Sequence, residues 1–142
     1  MAGYSGTPLP KKLGVKTGQT LAVLNAPSEL GKLMSEFPET AKADGKAAVD
    51  IFISFHKNRA SLQHQLPRLK SKMANDGMLW VAWPKRASGV PTDLNENVIR
   101  EAALKLGLVD VKVCAIDETW SGLKLVIPVK ARAKAGSRIK ES

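Results

Sequence analysis

The stretch LWVAWPKRASGVPTDL, residues 79–94, decides how the chain is read. Its first five residues carry no polar side chain, and with Met78 in front they make an apolar run of strand length. Pro84 then stops the strand, Lys85 and Arg86 follow, and Ser88-Gly89 loosens the chain ahead of a helix-capping segment at Thr92-Asp93. A strand that is apolar at successive positions is buried on both faces, so its sheet must be covered on both sides.

Outward from this strand the same character recurs. VDIFISF (49–55) and TLAVLNA (20–26) are also apolar on both faces. Between them lie helical patterns. Ser28 caps SELGKLMSEF, in which Leu30, Leu33, Met34 and Phe37 share a stripe, and only a short edge strand is expected through Ala41 to Asp44. Leu62, Leu66, Leu69 and Met73 form a second stripe, and Pro67 within it predicts a kink or two short helices. ANDG (74–77) reads as a turn.

After the opening stretch, Asp93 and Glu96 have the spacing of a capping box. They precede a stripe of Leu94, Val98, Ala102 and Leu106 that ends at Gly107. LVDVKVCAI (108–116) and LKLVIPV (123–129) are the last strands, and the short loop DETWSG (117–122) between them makes an antiparallel hairpin. At the start, Thr7 and Pro8 read as N-cap and first helical residue, Gly14 as the stop, and Leu9 and Leu13 as the docking residues. Strands alternating with helices predict an α/β fold: a three-layer, doubly wound, mostly parallel sheet of about five or six strands with an antiparallel C-terminal hairpin. Residues 1–129 form one domain, and residues 130–142 form a basic tail expected to be disordered.

Composition narrows the classes. The 142 residues are 44% hydrophobic and 25% charged, as in ordinary globular proteins. No apolar run reaches membrane-spanning length, there is no apolar signal core at the N-terminus, and a single Cys114 forms no internal disulfide, so a cytoplasmic protein without membrane attachment is expected. The net charge is +9, and residues 129–142 contribute five cations against one anion. The tail reads first as a solubilising segment. It is also a candidate arm for nucleic acid, with the basic helix region at Arg68, Lys70 and Lys72.

In open sheets of this kind ligands sit beyond the carboxyl ends of the strands. Four loops leave such ends: NAPS (25–28), FHKN (55–58), WPKRASG (83–89) and DETWSG (117–122). They are expected to converge on one rim. The candidate ligand residues there are Asn25, Ser28, His56, Lys57, Lys85, Arg86, Ser88, Asp117 and Trp120. Three of the loops precede helix N-termini, which favour anions. Lys57, Lys85 and Arg86 add positive charge, and Trp120 offers a stacking surface or a plug under the hairpin. Asp117 is expected to hold its own turn.

Signs of other chemistry are weaker. Cys114 lies mid-strand among apolar neighbours and reads as a small hydrophobe. His56 and His64 lack the partners of a metal site, and a lone rim histidine such as His56 is expected to be exposed. Trp80 and Trp83 fall on opposite faces of their strand. Ser5 and Ser88 have no nearby base, and no catalytic residue or metal ligand is assigned.

GYSGTPLPKKLG (3–14) and WVAWPKRASGVPTDLNENVIREAALKLGLVDVKVCAIDETWSGLKLV (80–126) resemble a bacterial family of unknown function, over most of residues 2–127. Its members look like shortened class I methyltransferases, and the resemblance implies a Rossmann-like fold with the antiparallel final hairpin. In methyltransferases the first strand enters a Gly-rich loop that approaches S-adenosylmethionine. Here it enters LNAPSEL, with Pro27 in the turn and Asp44 as the candidate acid for a ribose. The missing glycines disfavour that cofactor. The expected function is a non-catalytic binding or regulatory module that holds an anionic or nucleotide-like ligand, or a partner protein, at the rim. The alternatives are a divergent S-adenosylmethionine-dependent methyltransferase and a nucleic-acid-binding protein that uses the tail.

Overall fold

The structure, a computed structural model, describes residues 8–28, 37–38, 41–42 and 48–132. Within it one six-stranded sheet runs β2-β1-β3-β4-β6-β5. Its strands are β1 (Thr20–Leu24), β2 (Ala41–Lys42), β3 (Val49–Phe55), β4 (Met73–Pro84), β5 (Val109–Ala115) and β6 (Trp120–Val126). The pairs β1–β2, β1–β3 and β3–β4 are parallel. β6 is antiparallel to both β4 and β5, so β5 points the same way as β4.

The alternation that makes a strand two-sided is visible residue by residue. Phe52 of β3 and Leu79, Val81 and Trp83 of β4 face one layer, with Leu62, Leu66, Leu69, Ile99 and Ala103. Ile51, Ile53 and Phe55 of β3 and Trp80 and Ala82 of β4 face the other, with Leu9, Leu13, Ile116 and Trp120. The first layer is built by helices α2 (Arg59–Lys72) and α3 (Glu96–Lys105), the second in part by the short helix α1 (Leu9–Leu13). The α1 turn is locked from below. Trp80 Nε1 donates to the Leu13 carbonyl at 2.9 Å, and Gly14 takes the left-handed conformation (φ 79°) that ends the turn.

Several expectations are corrected. ANDG is not a turn but the first part of β4, because Gly77 lets two backbones meet. A Cβ there would lie 2.9 Å from the Asp50 carbonyl oxygen, and the β3–β4 register shifts beside it. Met73 accordingly starts a strand rather than closing a helix. Pro67 does not divide α2, which is one helix of 14 residues. Its ring sits on the exposed side, where a missing N–H is least costly. The Asp93–Glu96 capping box does not form. Asn95 caps α3 by accepting from Val98 N–H at 2.9 Å, while Asp93 accepts from Arg59 N–H at 2.8 Å, at the start of α2. DETWSG is shorter than expected, with Trp120, Ser121 and Gly122 already in β6.

Other readings hold or fall outside. Trp80 and Trp83 lie on opposite faces, both buried. The edge strand through Ala41 is present as two residues. Thr7, Ser5, the stripe at Leu30, Leu33 and Met34, the acid Asp44 and residues 133–142 lie outside the described residues. At the start of the basic tail, residues 129–132 make a helical turn in which Arg132 Nε donates to the Ile127 carbonyl at 2.6 Å.

Candidate functional site

Strand order locates the site. From β1 the chain passes outward to β2 and then returns across β1 to β3. The sheet therefore reverses its winding between β1 and β3, and the crevice beyond their carboxyl ends is where such folds take ligands. A cavity of about 270 Å³ lies there, lined by Asn25 and Pro27 after β1, Phe55 to Asn58 after β3, Ser61 of α2 and Trp120 of β6.

Each wall has a local cause. Asn25 is the one described non-glycine residue with positive φ (60°), a conformation that asparagine tolerates better than most side chains. Its Nδ2 donates to the Phe55 carbonyl and to Gln65 Oε1, each at 3.1 Å, so the amide spans from β1 to β3 and α2. Asn58 caps α2 by accepting from Ser61 N–H at 2.8 Å. Phe55 and Trp120 meet edge to face, 5.1 Å apart. Asp117 holds its turn as expected, accepting from Thr119 and Trp120 N–H at 2.8 and 2.7 Å.

His56 is buried, not exposed, because Ser54 and His56 share the face of β3 over which α2 starts. Its Nε2 lies 2.5 Å from Ser54 Oγ and its Nδ1 lies 2.7 Å from Ser61 Oγ. Burial lowers its pKa from 6.5 to about 4, so the ring is neutral at pH 7 and carries one N–H. Proton accounting fixes where that N–H is. Ser54 is wholly buried and among the described residues its hydroxyl has only the histidine as partner, so Ser54 O–H donates to Nε2. Nδ1–H then donates to Ser61 Oγ. The Ser61 proton is then left without a partner among the described residues, on a residue that lines the cavity.

The cavity thus offers two donors, the Ser61 hydroxyl and the exposed Lys57 ammonium, while the α2 N-terminal turn has its Arg59 and Ser61 N–H groups taken by Asp93 and Asn58. Trp120 also lines the cavity, and its Nε1–H, buried and not counted among the cavity's donors, has no acceptor among the described residues. It is a core residue, 3% exposed, with one side on the cavity. No acidic side chain lines the cavity, and no three His, Cys, Asp or Glu side chains gather as a metal site among the described residues.

Of the nine candidate residues, Asn25, His56, Lys57 and Trp120 come together here. Ser28 is exposed beyond Pro27 and does not line the cavity. Lys85, Arg86 and Ser88 form the neighbouring turn, in which Ser88 Oγ donates to the Lys85 carbonyl at 2.7 Å. That turn is tied to the rim by Lys85 N–H donating to the Thr119 carbonyl at 2.7 Å, but it is not part of the cavity wall. Asp117 acts from behind Trp120. The other lining residues are Pro27, Phe55, Asn58 and Ser61, of which the first three lie in loops assigned to the rim without being named as candidates. The last two carried a signal, since Asn58 is an N-cap residue and Ser61 follows it by three. Cys114 is half-buried, with its thiol pKa pushed up by burial. It is far from a reactive thiolate.

Comparisons with known proteins agree with this architecture. The chain resembles the ribosomal protein L11 methylase from Lactobacillus delbrueckii subsp. bulgaricus at 14% identity and a TM-score of 0.55, over 84% of this chain and 74% of that one. It resembles an S-adenosylmethionine-dependent methyltransferase from Aquifex aeolicus at 12% identity and 0.54, over 83% and 87%. It also resembles the magnesium protoporphyrin IX methyltransferase of Synechocystis PCC 6803, solved with bound S-adenosylhomocysteine, at 10% identity and 0.51, over 79% and 75%. At these identities the likeness establishes the fold. No curated protein matches the chain in sequence. No helix among the described residues is long and apolar enough to cross a membrane. A family model described as a protein of unknown function, DUF3052, matches residues 32–129, and the chain belongs to that family.

Proposed function

We propose that the chain is a non-catalytic binding module that holds a small anionic or nucleotide-like ligand in the crevice between the ends of β1 and β3. The observation that carries this reading is the one-sided hydrogen-bond inventory of the cavity. Ser61 O–H and Lys57 offer donors, and no carboxylate lines the cavity among the described residues; Asp93 takes the Arg59 N–H at the start of α2 from outside it. Such a set selects an oxyanion. The same proton order argues against catalysis. His56 donates to Ser61 rather than accepting from it, so Ser61 is not activated as a nucleophile, and a base with a pKa of about 4 is poorly matched to neutral pH.

A second reading is an adenosyl-compound site. The fold likeness favours it, and so does the left-handed backbone at Asn25, where a glycine would otherwise supply that conformation. Against it, the Asn25 amide crosses the crevice to Phe55 and Gln65. The cavity of about 270 Å³ is also at the lower edge of small-molecule sites.

Thermal-shift titrations with orthophosphate, AMP, S-adenosylmethionine and S-adenosylhomocysteine separate the two. A ligand at a hundredfold excess over its dissociation constant stabilises by about 2.7 kcal/mol. Stabilisation by phosphate or AMP that is lost in Lys57→Ala and Ser61→Ala supports the anion site. A response confined to the two adenosyl compounds favours the second reading. No response to any of the four abandons the cavity as a small-anion site.

A further inference from the structure

A second charged feature lies away from the crevice, on the outer strand pair. Lys112 of β5 stands directly opposite Lys124 of β6. Opposed side chains in an antiparallel pair share a face and lie close, and like charges there repel. The pair is extended at both ends. Lys12 of α1 reaches the Ala115 carbonyl with its Nζ at 3.4 Å, and Arg132 reaches the Ile127 carbonyl. Lys12, Lys112 and Arg132 each lie within electrostatic reach of Lys124 or of the Cys114 thiol. Burial lowers the Lys124 pKa, and Lys112 and Arg132 push it the same way, while Lys12 and Lys112 both act on the Cys114 thiol.

No ion pair among the described residues engages these four cations. Both ion pairs found there belong to Arg100, with Glu96 and Asp110. Asp110 is on the opposite face, since it pairs with Leu125 of the α2–α3 layer. From Ala115 to Lys112 and from Lys124 to Ile127 is three residues each, so the line is about 20 Å long at strand rise. Trp80 and Trp120 are buried, so it offers no ring for a base, and its exposed apolar neighbours Val111 and Val129 are single small aliphatic side chains rather than the continuous apolar face that a bilayer anchor needs. The sequence that follows Arg132 adds Lys134, Arg138 and Lys140.

We infer that Lys12, Lys112, Lys124 and Arg132 form a contact line for the phosphate backbone of a nucleic acid, separate from the crevice. The binding is sequence-independent, because phosphates are contacted and bases are not. Mutual repulsion along the line is relieved when the polyanion is bound.

The test is fluorescence anisotropy of the full chain with labelled single-stranded RNA, single-stranded DNA and duplex DNA, at about 50 and about 200 mM salt. Four phosphate contacts predict a single-strand affinity loss of about 50-fold between the two salts, against about 7-fold once Lys112→Ala and Lys124→Ala remove two of them. The three arms identify the preferred nucleic acid. Lys112→Glu serves as the folding control. It converts a repulsive pair into an attractive one, so it should hold or raise the Tm while weakening binding. A lower Tm for Lys112→Glu removes the repulsive pair and overturns the inference. So does an absence of nucleic-acid binding at the lower salt. Binding unchanged in these variants but lost in a Lys134→Ala, Arg138→Ala, Lys140→Ala chain also overturns it and moves the contact to the tail. Binding to phosphatidylserine vesicles without binding to nucleic acid makes the face a membrane contact instead. Lys57→Ala, which belongs to the crevice, should leave anisotropy unchanged, so this inference and the anion site fail separately.

Discussion

The central strand β3 and the edge strand β5 have the same length and a similar content of aliphatic residues, yet they are under opposite constraints. Six of the seven β3 residues are buried, and the strand delivers His56 into a closed Ser54–His56–Ser61 chain. None of the β5 residues is fully buried, and Val111 and Val113 are 52% and 43% exposed. Burial is set by position in the sheet, not by hydrophobicity. In the middle, polar groups must pair with one another. At the edge, cations can stand unpaired and wait for a partner.

The largest test of the comparison is a truncation on the buried side. Trp80→Ala, beside β3, removes a wholly buried ring and its bond to the Leu13 carbonyl. It should cost about 3–5 kcal/mol in urea unfolding. A loss below about 1 kcal/mol would mean that the α1 layer is not part of the cooperative core.

The next is the acid response of His56. Its folded pKa of about 4 lies below the ordinary 6.5, so as pH falls through 6.5 the unfolded chain takes up a proton that the folded chain refuses. Stability should therefore decline between pH 6.5 and about 4 and level off below, by at most about 3 kcal/mol with allowance for partial access of water. Carboxylates also titrate near the lower end, so the quantity to read is the difference from His56→Gln. That variant should be less stable at pH 7 and flatter across the window. Parallel curves for the two proteins would show that the ring is charged in the folded state. Asp117→Ala should follow at about 1–2 kcal/mol, because two backbone N–H groups at the start of β6 lose their acceptor.

The sequence made the two-sided strands legible because their apolar runs had strand length and no alternation. The order of strands and helices alone brought residues of three of the four loops, NAPS, FHKN and DETWSG, to the cavity, and left WPKRASG beside it. What escaped were features that depend on two segments at once. Gly77 looks like a turn residue, and only the approach of the Asp50 backbone shows why a strand needs glycine there. Asp93 looks like a cap for its own helix, but it caps α2 across the rim. Lys85 and Arg86, the most conspicuous cations, leave the strand one loop away from the cavity. His56 looks exposed in the sequence because nothing local reveals that Ser54 and Ser61 close on it from a strand and a helix.

Capping and edge positions give the smaller effects. Asn58→Ala removes the α2 cap and should cost about 1 kcal/mol. It should also weaken any anion held at that helix end, which titration of the variant would show. The smallest effect belongs to the edge. The β5–β6 register slips between Asp110 and Lys112, so Val111 is an extra residue with no partner opposite it. Such a bulge twists an edge strand away from the regular ladder that a second chain would need for pairing. Val111 and Val113 are therefore exposed without being sticky. Val111→Ala with Val113→Ala should change stability by less than about 0.5 kcal/mol per site and leave the sedimentation behaviour as it was. A larger loss, or a change in oligomeric state, would mean that these valines are covered in solution. The edge would then have to be treated, like β3, as an interior strand.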